Sequence, residues 1–228
     1  MKLLFIGNVG HRVNSFLFSS AAAAKKLGIE FHVAGSWTGY DNPADKLADE
    51  EKYGLKIHQI DFFRKPYDLR NIKAYKQIIE LIGREGIDVI HCNTPIGGVV
   101  GRLAGKKCHI KRVIYQAHGF HFYSGAPLLN WILYYPIEKL LAHYTDALIT
   151  INKEDYARAS RKMHLRNNGQ VYYVPGVGIE IPVINSTPEF RMKKRESLNI
   201  PHDAIVLISV GDLNANKNNE IIIDAIRK

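Results

Sequence analysis

Short apolar runs alternate with amphipathic stretches along almost the whole chain, and this alternation restricts the fold more than any other feature of the sequence. Short continuous apolar runs suit strands buried on both faces. The pattern therefore predicts an α/β protein built on a doubly wound parallel sheet with helices on either side. The predicted strands are Lys2–Ile6, Glu30–Ala34, Lys56–Gln59, Val89–Cys92, Arg112–Ala117, Ala147–Ile151 and Val171–Val174. Predicted helices fill the intervals at Asn14–Leu27, Ile72–Glu85, Gly97–Lys107, Leu128–His143 and Lys153–His164. Gly28 and Gly86 stand where C-caps belong, and Asn152 with Asp155 resembles a capped N-terminus.

At 228 residues and 46% hydrophobic, the chain can bury one core of ordinary domain size plus a fragment. The run of special backbone residues from Pro175 to Pro182 marks the boundary, giving a domain over 1–182 and a further segment over 183–228. That segment opens with a helix at Thr187-Pro188 that runs to Leu198. Ala204–Val210 then reads as a buried strand, 211–216 as a loop, and Lys217-Asn218 as the start of another helix. A strand, a glycine turn, a cation and a helix N-terminus together form a phosphate-binding arrangement, because free N–H groups and the helix dipole both favour an anion. The segment thus reads as the first edge of a second, truncated domain.

Thirty-one Lys and Arg against 22 Asp and Glu give a net charge of +9, which favours nucleotides, phospholipid surfaces or nucleic acid without choosing among them. The basic residues are dispersed and no nucleic-acid module is visible, so no nucleic-acid partner is expected. Cys92 and Cys108 read as buried or semi-buried thiols of a reducing compartment. The N-terminal apolar run is too short for a signal peptide and no stretch is long enough to span a bilayer, so a cytoplasmic protein, soluble or peripherally bound, is expected.

In an open parallel sheet, ligands collect beyond the carboxyl ends of the strands. After the first strand comes Gly7-Asn8-Val9-Gly10-His11-Arg12-Val13-Asn14, whose glycine spacing fails the dinucleotide pattern; an ordinary turn and a ligand-facing wall both remain open. After the fourth come Asn93 and Thr94, suited to caging sugar hydroxyls, although Thr94-Pro95 reads first as a helix cap. His91 reads as a hydrogen-bonded core histidine. The fifth strand ends in Gln116-Ala117-His118-Gly119-Phe120-His121-Phe122-Tyr123. There His118 and His121 can donate hydrogen bonds or move protons, and the neighbouring rings offer flat faces to a sugar. His-x-x-His without a carboxylate is a poor zinc site, and no metal is expected.

Residues 126–144 are rich in Trp, Tyr and Leu, the composition of an interfacial helix, and Pro136 should kink or restart it. A helix packed on the sheet with an aromatic face is the plainer reading, with membrane contact the alternative. The basic face of Arg158, Arg161, Lys162 and Arg166 on the next helix is compatible with either.

Four stretches carry a family resemblance: Asp88-Val89-Ile90-His91-Cys92-Asn93-Thr94-Pro95, Ala117-His118-Gly119-Phe120-His121, Tyr173-Val174-Pro175-Gly176-Val177-Gly178-Ile179 and Val210-Gly211-Asp212-Leu213-Asn214-Ala215-Asn216-Lys217-Asn218. In this order the chain resembles the N-terminal Rossmann-like domain, linker and first βα unit of a family 4 retaining glycosyltransferase of the two-domain GT-B kind, especially the bacterial capsular and exopolysaccharide branch. The resemblance implies that Lys217 and Gly211 contact the donor diphosphate, that Gly7 and Gly10 approach the reaction centre from the donor side, and that His118 is the catalytic residue lining the cleft at the transferred sugar. Asn8, His11, Asn93, Thr94, His121 and Tyr123 are assigned to the acceptor side.

By the same resemblance the reaction is sugar transfer from a nucleotide-diphosphate sugar, UDP-sugar foremost, to a lipid-linked saccharide at the inner membrane face, with no cofactor. Asp212 departs from the arginine that many members carry there, and a carboxylate beside a diphosphate repels it. The family's glutamate pair belongs beyond Lys228, so the 228 residues alone are expected to be inactive without the missing second domain or a partner chain. A non-catalytic binding module or partner subunit is the alternative.

Overall fold

The strand order of the sheet reverses at its centre, and this organises the first of two units in the chain. The computed structural model describes residues 1–63, 65, 68–176, 187–211, 213 and 217–227, with residues 8, 9 and 15 described by backbone alone. Two compact units divide the chain, Met1–Ile179 and Glu180–Lys228. The expected border after residue 182 lies among residues 177–186, outside the described residues.

The first unit is a seven-stranded sheet in the order β3-β2-β1-β4-β5-β6-β7, with every pairing parallel. The strands are β1 Lys2–Gly10, β2 Glu30–Trp37, β3 Lys56–Gln59, β4 Val89–Asn93, β5 Arg112–Ala117, β6 Ala147–Thr150 and β7 Gln170–Tyr173. Helices α1 Ser15–Lys26 and α2 Pro43–Tyr53 lead from β1 through β2 to β3. Helix α3 Asn71–Glu85 carries the chain back across to β4, and α4 Pro95–Lys107, α5 Leu128–Ala142 and α6 Lys153–Lys162 link the strands from β4 to β7.

Successive strand residues point to opposite faces, and β1 feeds both cores. Phe5 joins Val13, Leu17, Phe31, Val33 and Ile57 on one side. Leu4 and Ile6 join Ile78, Ile90, Val100, Val113 and Leu148 on the other. This is the doubly wound arrangement that the apolar runs predict. Gly86 holds φ 66° as the C-cap of α3, and the Asn152 side chain accepts from Asp155 N at 2.8 Å to cap α6. Both cysteines are free, and burial pushes the Cys92 thiol up to about 12, which leaves it un-ionised and unreactive near neutral pH.

Several expectations are corrected. Residues 7–10 form no loop: β1 continues through a register shift between Ile6 and Val9, because β2 also extends and supplies the partners Ser36 and Trp37. Helix α2 has no counterpart in the sequence reading, since its eleven residues bury no side chain and leave no apolar stripe to read. Helix α5 runs uninterrupted through Pro136, which removes one N–H from its ladder without ending it.

In the second unit, helix α7 Pro188–Ser197 starts as expected, with Thr187 Oγ1 accepting from Phe190 N at 3.2 Å and proline at its first position. Ala204–Val210 is not a buried strand: Ile205, Ile208 and Val210 are exposed and no ladder forms, because the described residues of this unit include no second strand to pair with it. The last helix, α8 Glu220–Ile226, begins two residues after Asn218 rather than at Lys217-Asn218. Asn218 has φ 46°, which is outside the right-handed helical region.

Candidate functional site

Between the carboxyl ends of β1 and β4, where strand order reverses, lies a cleft of about 280 Å³. Its walls are Phe5, Gly7 and Gly10 from β1, Asn14, Phe16, Leu17 and Ser19 from the start of α1, Trp37 from the end of β2, Asn93 and Thr94 from β4, and Gln116 and His118 from β5. Two close approaches shape it. A Cβ on Gly10 would stand 3.0 Å from the Trp37 ring, and one on Gly97 would meet the Gly7 carbonyl oxygen at 2.5 Å. Larger residues there would push Trp37 off its strand or lift α4 away from β1.

His118 opens onto this cleft and is not sealed in the interior. Its Nε2 lies 3.1 Å from Asn93 Oδ1, and with the proton on Nε2 the imidazole donates to that oxygen. The Phe16 ring meets it edge-on at 6.2 Å between centroids. Partial burial disfavours the imidazolium and lowers the His118 pKa, so the ring is neutral at pH 7 with Nδ1 as an acceptor. No other lining residue is ionisable, and the described residues of the cleft carry no formal charge at that pH.

Three polar atoms buried around this point have no hydrogen-bond partner among the described residues: Asn93 Nδ2, Thr94 Oγ1 and His91 Nε2. Thr94 does not act as the side-chain cap that its place before Pro95 suggests; it is the N-cap residue of α4 but makes no cap bond. Its backbone, at φ 62° and ψ 159°, lies far from the extended conformation that brings a capping side chain onto the helix N–H groups. His91, two residues before Asn93 on the same face of β4, is buried edge-on against Phe5 at 5.1 Å, with its pKa lowered to about 4 by burial. It is the core histidine expected there, hydrogen-bonded through its side chain to Gln116, with only Nε2 unpartnered among the described residues.

Of the residues expected at the site, the structure brings Gly7, Gly10, Asn93, Thr94 and His118 together. Asn8 lies in β1, with its side chain outside the described residues. His11 is exposed beside Thr38 Oγ1 at 3.4 Å and does not line the cleft. His121 and Tyr123 also lie outside it. The His121 ring rests on Tyr134 of α5 at 4.6 Å, and Tyr123 is exposed. In the second unit Gly211 lies against the aliphatic stem of Lys217, and Asp212 is outside the described residues.

The aromatic faces are also reassigned. Phe120 and Phe122 are buried and stacked on each other at 4.7 Å, so they serve the core, held there in part by Asp155 Oδ2 accepting from Phe120 N at 2.9 Å. Phe16 and Trp37, with Phe5 beneath them in β1, supply the cleft's aromatic rings. Phe16 sits in the first turn of α1, two residues after the Asn14 cap, and Trp37 lies beyond the apolar run that marked β2. Among the described residues no group of three histidine, cysteine or acidic side chains is placed to hold a metal ion.

Comparison with known proteins bears on the family resemblance. EpsD of Bacillus subtilis (strain 168), named as a glycosyltransferase, is 38% identical over 228 residues, which cover 98% of this chain and 56% of EpsD. An Escherichia coli protein named UDP-Gal:alpha-D-GlcNAc-diphosphoundecaprenol alpha-1,3-galactosyltransferase is 25% identical over 153 residues, 66% of this chain and 38% of its own length. The chain thus spans about half the length, or less, of these curated relatives. A crystal structure of a glycosyltransferase from Rickettsia africae ESF-5 shares the fold with a TM-score of 0.55 at 14% identity, covering 99% of this chain and 56% of that one. Residues 2–152 match the model of a family that contains the whole cleft, and on that match, together with the identity to EpsD, the chain belongs to the Glycosyl transferase 4-like family.

Proposed function

We propose that this chain takes part in retaining sugar transfer from a nucleotide-diphosphate sugar, UDP-sugar foremost, to a lipid-linked saccharide in cell-surface polysaccharide synthesis, and that its first unit holds the acceptor saccharide. One observation carries the assignment of the cleft: an uncharged pocket at the strand-order reversal combines aromatic walls with buried polar atoms that lack partners among the described residues. A sugar ring is apolar on its faces and hydroxylated at its rim, which suits that combination. A buried amide or hydroxyl without a partner costs about 1–3 kcal/mol, and a ligand hydroxyl that bonds it removes the penalty.

In this reading Asn93 Nδ2 donates to one sugar hydroxyl while Thr94 Oγ1 donates to or accepts from a second. Neutral His118 accepts a hydroxyl hydrogen at Nδ1 while Asn93 Oδ1 fixes its tautomer and ring orientation. Lys217 and the backbone beside Gly211 take the donor diphosphate, where a cation stabilises the charge that develops as the nucleoside diphosphate departs. The family supports retention of configuration. The name of the E. coli relative supports a diphosphate-linked lipid acceptor. The place of work is then the inner face of the cell membrane, where nucleotide sugar and lipid acceptor meet.

Trp37 reports the test, with Trp131→Phe as background to remove the second indole. A neutral disaccharide added to the chain should change Trp37 fluorescence saturably. His118→Ala should weaken that binding about tenfold, the loss of one ligand hydrogen bond plus the freed Asn93 oxygen. No saturable change, or equal affinity in the variant, overturns the assignment.

A further inference from the structure

Helix α5 is apolar on both sides. Its inner side packs Trp131, Tyr134 and Tyr135 against the core and is pinned by Glu138, whose carboxylate accepts from both Arg102 terminal nitrogens at 2.8 and 3.1 Å. Its outer side presents Leu128, Leu129, Ile132, Leu133, Ile137 and Leu140, each between 47% and 73% exposed. At about 100° per residue, Leu129, Leu133, Pro136 and Leu140 form the centre of one outward stripe, with Ile132 and Ile137 beside it. Six such side chains expose on the order of several hundred Å² of continuous apolar surface, the size that marks an interaction site on a soluble domain.

The surroundings of the stripe are basic. Lys139 stands at its edge, exposed Arg161 and Lys162 line the groove between α5 and α6 above Trp131 and Tyr135, and α4 ends beside it in Lys106-Lys107. The nearby carboxylates are already engaged, Glu138 by Arg102 and Glu154 by Arg158 and Ser124. An apolar stripe with a cationic margin matches the boundary between anionic headgroups and acyl chains. The length agrees, since 15 residues span about 22 Å, too short to cross a bilayer and suited to lying in its surface. A second copy fits less well, because a two-fold contact centred on α5 would bring Lys139, Arg161 and Lys162 near their own counterparts.

We propose that the outer face of α5 is a membrane-docking surface that takes an anionic phospholipid bilayer. The site and the surface are joined: Asn130 Nδ2 of α5 donates to the His121 carbonyl oxygen at 3.0 Å, on the loop that begins at His118. A docked α5 therefore holds the β5 end of the cleft close to the lipid surface. Exposure and charge on α5 and α6 alone create this surface, whatever the cleft binds.

Flotation of the 228-residue chain with vesicles tests it. Binding to vesicles of phosphatidylcholine with one third phosphatidylglycerol should exceed binding to phosphatidylcholine alone by about tenfold or more and fall with salt. Leu129→Asp with Leu133→Asp should weaken it by about a hundredfold, and circular dichroism should show an unchanged fold because both side chains are solvent-exposed. Lys139→Glu with Lys162→Glu should weaken only the anionic-vesicle binding. The proposal is overturned by no binding to anionic vesicles, by equal binding to both vesicle types, by a Leu129→Asp/Leu133→Asp protein that floats like the parent, or by a solution dimer that this double variant abolishes.

Discussion

Val89–Asn93 and Ala204–Val210 make an instructive pair. The second is the more apolar run, yet every residue of the first is buried in a strand paired with β1 and β5, while Ile205, Ile208 and Val210 of the second stand in solvent without a ladder. Apolar composition creates a demand for burial, and partner edges decide whether it is met. The same lesson applies to α5, whose inner face has a sheet to cover and whose outer face does not.

The sharpest way to break the well-partnered region is to strand a charge within it. Glu138→Ala leaves the Arg102 guanidinium, 1% exposed, facing no carboxylate, and should destabilise the first unit by about 3–5 kcal/mol in urea unfolding. The direct test of the comparison is a matched pair of truncations. Ile90→Ala should cost about 2–5 kcal/mol, since the side chain is fully buried and leaves a cavity. Ile208→Ala should stay within about 0.5 kcal/mol, as its side chain is 82% exposed. Equal effects would mean that Ala204–Val210 has found partners after all.

A pH titration separates the regions next. Burial holds His91 at about 4, below the unfolded value near 6.5, so the unfolded chain takes up the proton first. Its contribution is intact above pH 6.5 and is lost as pH falls toward 4, by about 3 kcal/mol at roughly 1.4 kcal/mol per unit. His58, also near 4 through burial and its contact with His32, acts in the same direction. His91→Gln should flatten the profile of thermal midpoint against pH. The smallest effect is at the caps. Asn152→Ala should lower first-unit stability by about 1 kcal/mol, whereas Thr187→Ala should reduce helix signal from α7 without moving the first-unit transition.

The sheet was legible because its central strands, β1, β2 and β4, are largely buried and write that burial as short apolar runs, and the helix caps were legible because their chemistry is local. The far ends of β1 and β2 were not, since Gly7-Asn8-Val9-Gly10 has no apolar run and is extended only because β2 lies alongside. Within the cleft, His118, Asn93 and Thr94 could be read from their position after strands. Phe16 and Trp37 come from a helix start and a strand end whose convergence is a property of the tertiary fold. The rings of Phe120 and Phe122 misled because nothing in the sequence shows which way residues just beyond a strand turn.

Thr94 carries one more consequence. Glycine reaches its backbone angles freely, whereas a β-branched residue holds them at a cost of about 1–3 kcal/mol. Thr94→Gly should thus melt no lower than the parent while deleting the hydroxyl assigned to the saccharide. A screen that rewards heat resistance alone would drift to glycine at this position, and the proteins it selected would grow sturdier while losing the hydroxyl proposed to hold the saccharide.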